Sequence, residues 1–180
     1  MQFYLKYQGK VSTRGHTKQK FEYRRNFLSQ LKRVHCYLDS YNISEEIGFC
    51  EKKIRKVGPF TFLPLVTKQC QKVVDLDLTI LSHMEPCCKH NYPTGDIDNL
   101  LKVLLDGLRM PQNSNEIRKE EPLEGENPFY CLLEDDQFIR NIQVRHDKLF
   151  FPLQNMPSEI HGTEVFVIIR ITTFPKIPLG

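Results

Sequence analysis

At 180 residues, with 40% hydrophobic and 11% aromatic content, the chain suits one domain long enough to bury a real core. No apolar run nears the ~20 residues of a membrane span, and the start Met1-Gln2-Phe3-Tyr4-Leu5-Lys6 lacks a signal-peptide core. Six cysteines (Cys36, Cys50, Cys70, Cys87, Cys88, Cys131) are scattered without a secretory pattern, so the expectation is a cytoplasmic protein with free thiols rather than disulfides.

The net charge of +3 is modest, but it is unevenly spread. Residues 1–35 carry nine Lys/Arg against the single acid Glu22, whereas residues 96–136 carry eleven acids against Lys102, Arg109, Arg118 and Lys119. A basic end beside an acidic cluster suits a polyanion-binding surface next to a cation site; a solvated basic helix face is the plainer alternative.

In chain order, Gln2–Tyr7 is the first strand candidate, and a helix follows from about Lys18 to Leu38. Phe27, Leu28, Leu31, Val34 and Leu38 recur at helical spacing, with Arg24, Arg25, Lys32 and Arg33 mostly off that stripe. Those four basic residues are the expected phosphate contacts. Residues 39–58 read as loop with a short helix around Ser44–Ile47. Pro59 and Pro64 punctuate Phe60–Val66, which reads as an edge strand that a partner chain would cover. In Val74–Leu81, Leu76, Leu78 and Ile80 alternate with Asp75, Asp77 and Thr79, a strand whose two aspartates face solvent. The segment His83-Met84-Glu85-Pro86-Cys87-Cys88-Lys89-His90 contains zinc-ligand types, but adjacent cysteines poorly share one ion and no second pair follows, so it reads as loop.

The central stretch is Gly95-Asp96-Ile97-Asp98-Asn99-Leu100-Leu101-Lys102-Val103-Leu104-Leu105-Asp106-Gly107-Leu108-Arg109. Leu101, Leu104, Leu105 and Leu108 predict one buried helical stripe, with Asp98 as N-cap and Asp98, Lys102, Asp106 and Arg109 on the opposite face. Asp96 stands at the mouth of that face. Met110–Leu133 reads as a polar insertion loop, rich in Pro, Asn and Glu. Glu134-Asp135-Asp136 then precedes a strand over Gln137–Arg145, and Thr163–Ile171 has the near-continuous apolar run of a strand in mid-sheet.

The acids suggest chemistry. Mg²⁺ takes oxygen ligands, often one or two carboxylates with waters and substrate phosphates. Asp96, Asp98 and Asp135/Asp136, arriving from two segments, are candidate ligands for one or two such ions. Bound ions would polarise a phosphodiester and activate water, and Lys102 would stabilise charge at phosphorus.

The pattern Asp96-Ile97-Asp98-Asn99-Leu100-x-Lys102-x₃-Asp106-x-Leu108, followed by Asp135-Asp136 and a strand, resembles the RusA-type Holliday-junction resolvases of bacteria and their phages. The resemblance implies an α+β fold, a single domain over 1–180, and a homodimer dependent on Mg²⁺ or Mn²⁺ that nicks four-way DNA junctions. It places metal-binding aspartates on Asp96, Asp98 and Asp136 and the essential lysine on Lys102; Asp135 and Asp106 also match. Three departures stand out: Tyr92-Pro93-Thr94-Gly95 replaces basic residues before the D-x-D, 110–133 expands the linker, and a Pro-Pro-Ser-x-Asn segment is missing before the first helix. The expectation is a metal-dependent endonuclease for branched DNA, with Asp96, Asp98, Lys102 and Asp136 catalytic. A catalytically inactive nucleic-acid-binding or phage-derived accessory protein of the same fold is the alternative.

Overall fold

Alternation along one strand sets the architecture. In β4 (Lys72–Ser82) Val74, Leu76, Leu78 and Ile80 are buried on one face, while Asp75, Asp77 and Thr79 stand on the other. A computed structural model of the chain describes residues 1–10, 17–40, 54–82, 97–149 and 164–176, and builds around β4 a four-stranded sheet. Its order is β1 (Gln2–Lys10), β7 (Glu164–Pro175), β4, β6 (Ile139–Lys148). β7 runs antiparallel to both β1 and β4, and β6 parallel to β4. The apolar run Val165–Ile169 thus lies in mid-sheet, as its composition predicts.

A second sheet has three strands, β2 (Arg55–Val57), β3 (Phe60–Val66) and β5 (Phe129–Leu133), with β3 in the middle. The expected edge strand is therefore a central one, and the proposed partner contact through Phe60–Val66 is corrected. Six of its seven residues are buried, leaving nothing for a partner to cover. Pro64 is tolerated because β2 pairs only with Phe60–Phe62, so one side of the strand at Pro64 needs no donor.

Two α-helices are described, α1 (Thr17–Ser40) and α2 (Ile97–Leu108), and neither is long and apolar enough to cross a membrane. α1 packs on α2, and its side chains enter two clusters of core residues. Tyr23, Phe27, Leu31 and Leu38 join the inner faces of the four-stranded sheet and α2, while Phe21 joins Phe60, Phe62, Met110, Ile117, Phe129 and Cys131. The result is a single α+β domain. Cys36, Cys70 and Cys131 are free thiols.

The segment 110–133, read as a loop, ends in the strand β5 and is tied to the core before it. Met110 N–H donates to the Leu133 carbonyl, and Asn113 caps a 3₁₀ turn at Ser114–Glu116. Ile117 is buried and β5 pairs in parallel with β3. The polar composition belongs to the solvent side of a segment that closes the second core.

The two helices meet at Gly107. A Cβ there would lie 2.7 Å from the Cβ of Tyr23, a backbone-anchored atom that no rotamer change removes. Alanine gains about 1 kcal/mol of helix propensity over glycine, but overpacking costs roughly 1–3 kcal/mol. Gly107→Ala should therefore lower stability, read as a lower urea midpoint with an unchanged slope; a rise would mean the helices separate without cost.

Candidate metal and nucleic-acid site

α2 presents two faces. Leu100, Val103, Leu104, Gly107 and Leu108 are buried, whereas Asp98 in the first turn and Lys102 one turn later are exposed. The helix begins by Ile97, so Asp98 lies within the first turn rather than capping it, where its charge favours the helix dipole. Leu101 and Leu105, placed at the centre of the predicted stripe, are only half buried. Leu105 instead lines an open pocket of about 450 Å³ with Asp136, Ile139, Arg140, Asn141 and Ile142. The face carrying Asp98 and Lys102 thus runs on, one turn further, to the pocket that holds Asp136.

The three acids after β5 have different tasks. Glu134 accepts from Arg55 Nε at 3.0 Å and from the Lys68 backbone N–H at 2.8 Å, tying β2 to the end of β3. One oxygen of Asp135 accepts the Gln137 N–H at 2.9 Å and caps a 3₁₀ turn over Asp136–Phe138. Asp136 is exposed, and among the described residues its carboxylate has no hydrogen-bond or ion-pair partner. The same holds for Asp98 and Lys102. Uncommitted, exposed carboxylates are the hard oxygen donors that Mg²⁺ or Mn²⁺ takes. Among the described residues no three of His, Cys, Asp and Glu gather closely enough to hold an ion. Asp96 lies outside the described residues, as do the 83–90 segment and the expected helix at 44–47.

Asp106 and Arg109 do not share that surface. Asp106 is 8% exposed and bonded to Lys20 Nζ at 2.5 Å and to Arg109 Nη2 at 2.9 Å, and Arg109 Nη1 reaches Glu116 at 3.1 Å. These ion pairs join α1, α2 and the 110–133 segment.

Two expected DNA contacts are engaged within the protein, Arg24 by burial and Arg25 by carboxylates. Arg24 is 1% exposed, donates from Nε to the Arg109 carbonyl at 3.1 Å, and lies 5.0 Å from the Phe21 ring. Burial first, and the charge of Arg109 second, lower its pKa to about 10, which leaves it cationic at neutral pH. Arg25 bonds Glu126 at 2.9 Å, Glu120 at 2.8 Å and the Glu121 carbonyl at 2.9 Å. Burial opposes its charge, but the bonds to Glu126 and Glu120 prevail and its pKa is raised. It fastens the 110–133 segment to α1. Lys32 and Arg33 are exposed on α1, free to meet a polyanion.

The arginines that sequence reading passed over lie on the open face of the four-stranded sheet. Arg140 donates to both oxygens of Asp75, at 2.9 and 2.6 Å, and covers the Phe174 ring at 3.9 Å. Its bond to Asp75 raises its pKa. Asp77 holds Arg145 at 3.2 Å and Arg170 at 2.5 Å. The aspartates read as merely solvated are therefore ion-paired. The alternation within β4 puts Asp75 and Asp77 on one face, and their arginines reach it only through pairing with β6 and β7.

No family model matches the chain, and no curated protein or solved structure does.

Proposed function

We propose that the chain is a divalent-metal-dependent endodeoxyribonuclease of the RusA type, acting as a homodimer on four-way or other branched DNA. The observation that carries this reading is the juncture of α2 with the pocket. Asp98 and Lys102 occupy one exposed helix face that leads through Leu105 to Asp136, and all three polar groups lack partners among the described residues. Carboxylates facing a polyanion without a cation between them would repel it. Asp98 and Asp136, with Asp96 from the resemblance and the remaining oxygen of Asp135, are the residues that would hold the ion. A cation bound there would supply Lewis-acid polarisation of a phosphodiester and a water of lowered pKa. Lys102 would neutralise charge gathering on the non-bridging oxygens as water adds to phosphorus and the leaving strand departs.

The test is incubation of labelled four-way junction, flap and linear duplex with and without Mg²⁺. Cutting of the branched substrates in Mg²⁺ and none in EDTA is expected; cutting that survives EDTA overturns the reading. Two symmetry-related cuts call for two sites, so light scattering should give twice the 21.2 kDa chain mass. A monomer that makes paired cuts overturns the dimer.

A further inference from the structure

With Arg24 buried and Arg25 committed to carboxylates, α1 retains only part of the basic surface its composition promised. The molecule has another. We propose that the open face of the four-stranded sheet, across Arg140, Arg145, Arg170 and Tyr4, is a docking surface for the sugar-phosphate backbone of a DNA strand. The surface stands on its own geometry, while the choice of DNA as the polyanion rests on the nuclease reading.

Four observations support the proposal. The arginines stand proud, with side chains 49, 56 and 46% exposed for Arg140, Arg145 and Arg170. Their aspartates are recessed, at 24% for Asp75 and 12% for Asp77. A ligand approaching the face therefore meets guanidinium first. Arg140, Arg145, Arg170 and exposed Lys6, on the same side of β1 as Tyr4, outnumber Asp75, Asp77 and exposed Asp147, two residues beyond Arg145, and leave one positive charge.

The guanidinium groups are also aimed in advance. Asp75 engages Nε and Nη2 of Arg140, and Asp77 engages Nη2 of both Arg145 and Arg170. That leaves Nη1 of all three uncommitted among the described residues, so binding a phosphate immobilises less side chain than a free lysine would.

Arg140 reaches this face because of a bulge. Val74 pairs with Ile139 but Asp75 pairs with Asn141, so Arg140 is an extra residue in β6, turned to the side of Asp75. Because Arg140 also lines the pocket of Asp136, the row of arginines begins at the candidate cutting site.

Finally, Tyr4 is 59% exposed and stands in register with Arg170, offering an aromatic face at the far end of the row. From β6 to β1 the row crosses three strand spacings, about 14 Å, or roughly four base-pair steps along one DNA strand.

The experiment is fluorescence anisotropy of the full chain with a labelled 30-bp duplex and a four-way junction, in EDTA, across a potassium chloride series. Arg145→Gln with Arg170→Gln should weaken both substrates at least tenfold at 100 mM salt. The log–log salt slope should flatten by about 1.8, two phosphates at about 0.9 each. If that pair lowers the melting temperature because Asp77 is left alone, adding Asp77→Asn removes the acid with its partners, and the same loss is expected. A folded variant with unchanged affinity and slope overturns the proposal. So does a full loss on Lys32→Gln with Arg33→Gln, which would locate binding on α1. Wild-type binding to heparin as tight as to duplex would also overturn it, since the face would then be a general polyanion patch. Because binding is read without metal, failure of Mg²⁺-dependent cleavage would remove the nuclease reading and leave this result standing.

Discussion

Lys102→Ala is expected to slow metal-dependent cleavage of junction DNA by roughly 10²- to 10³-fold, the range for loss of one electrostatic stabiliser of the transition state. The fold should not register the change. Lys102 is exposed on α2 and has no partner among the described residues, so its removal should stay within about 0.5 kcal/mol. Single-turnover rates with enzyme in excess separate chemistry from binding, and a thermal melt provides the control. Asp98→Asn sharpens the comparison, because it should abolish cutting while leaving DNA affinity equal or higher, a negative charge facing phosphates having gone. A Lys102 variant that melts early, or one that cuts normally, would remove this lysine from the site.

The largest effect on stability is expected from Asp106→Asn, at about 3 kcal/mol, near the lower end for removing one partner of a buried ion pair. Three cations face this carboxylate or lie near it: Lys20 and Arg109 by direct bonds, Arg24 by its field. The amide would leave Arg109 with Glu116 and remove the carboxylate that Lys20 bonds. At roughly 2–4 °C per kcal/mol for a domain of this size, the melting temperature should fall by about 6–12 °C. Lys20→Met should cost less, because Arg109 would still hold the carboxylate.

The pH profile separates Asp106 from a second group. Burial pushes the Asp106 carboxyl up, but the bond and charge of Lys20 with the charge of Arg109 outweigh it, and its pKa lies below the ordinary 3.8. A carboxyl of depressed pKa supports the fold fully above pH 3.8 and less as pH falls toward its folded value. His146 acts in a different window. Burial lowers its pKa below 6.5 against the opposing charge of Asp147, so its contribution is complete above 6.5 and fades as pH falls through the folded value. Asp106→Asn should thus flatten the limb below pH 3.8 and keep the one below 6.5.

The strands built on strict alternation or on β-branched runs were readable from sequence, as β4 and β7 show. Where reading failed, one residue usually misled it. Gly107 adds nothing to a hydrophobic count, so the α2 stripe was centred on Leu101 and Leu105, although the closest helix contact lies at the glycine. Arg24 was set outside by its charge, although it follows Phe21 by three residues and precedes Leu31 by seven, spacing that belongs to the buried side. Pro64 argued for an edge because proline cannot donate to a ladder, but β2 pairs only with Phe60–Phe62 and leaves one side of Pro64 without a ladder. β5 is five residues long in polar surroundings, too short for its period to show. Of the candidate site, the residue types on α2 and Asp136 were readable; the arginine row was not, because its members become neighbours only through pairing between strands.

The position of β7 fixes an order of assembly during synthesis. β1 pairs with β7 and β4 pairs with both β7 and β6, so β1 must wait for a segment that begins at Glu164. A ribosome that has released residues 1–148 has delivered both outer strands, β4, and no strand to lie between β1 and β4. Such long-range closure slows folding, and it exposes two adhesive edges meanwhile. Premature termination before Glu164 should therefore yield insoluble fragments rather than a weakened fold.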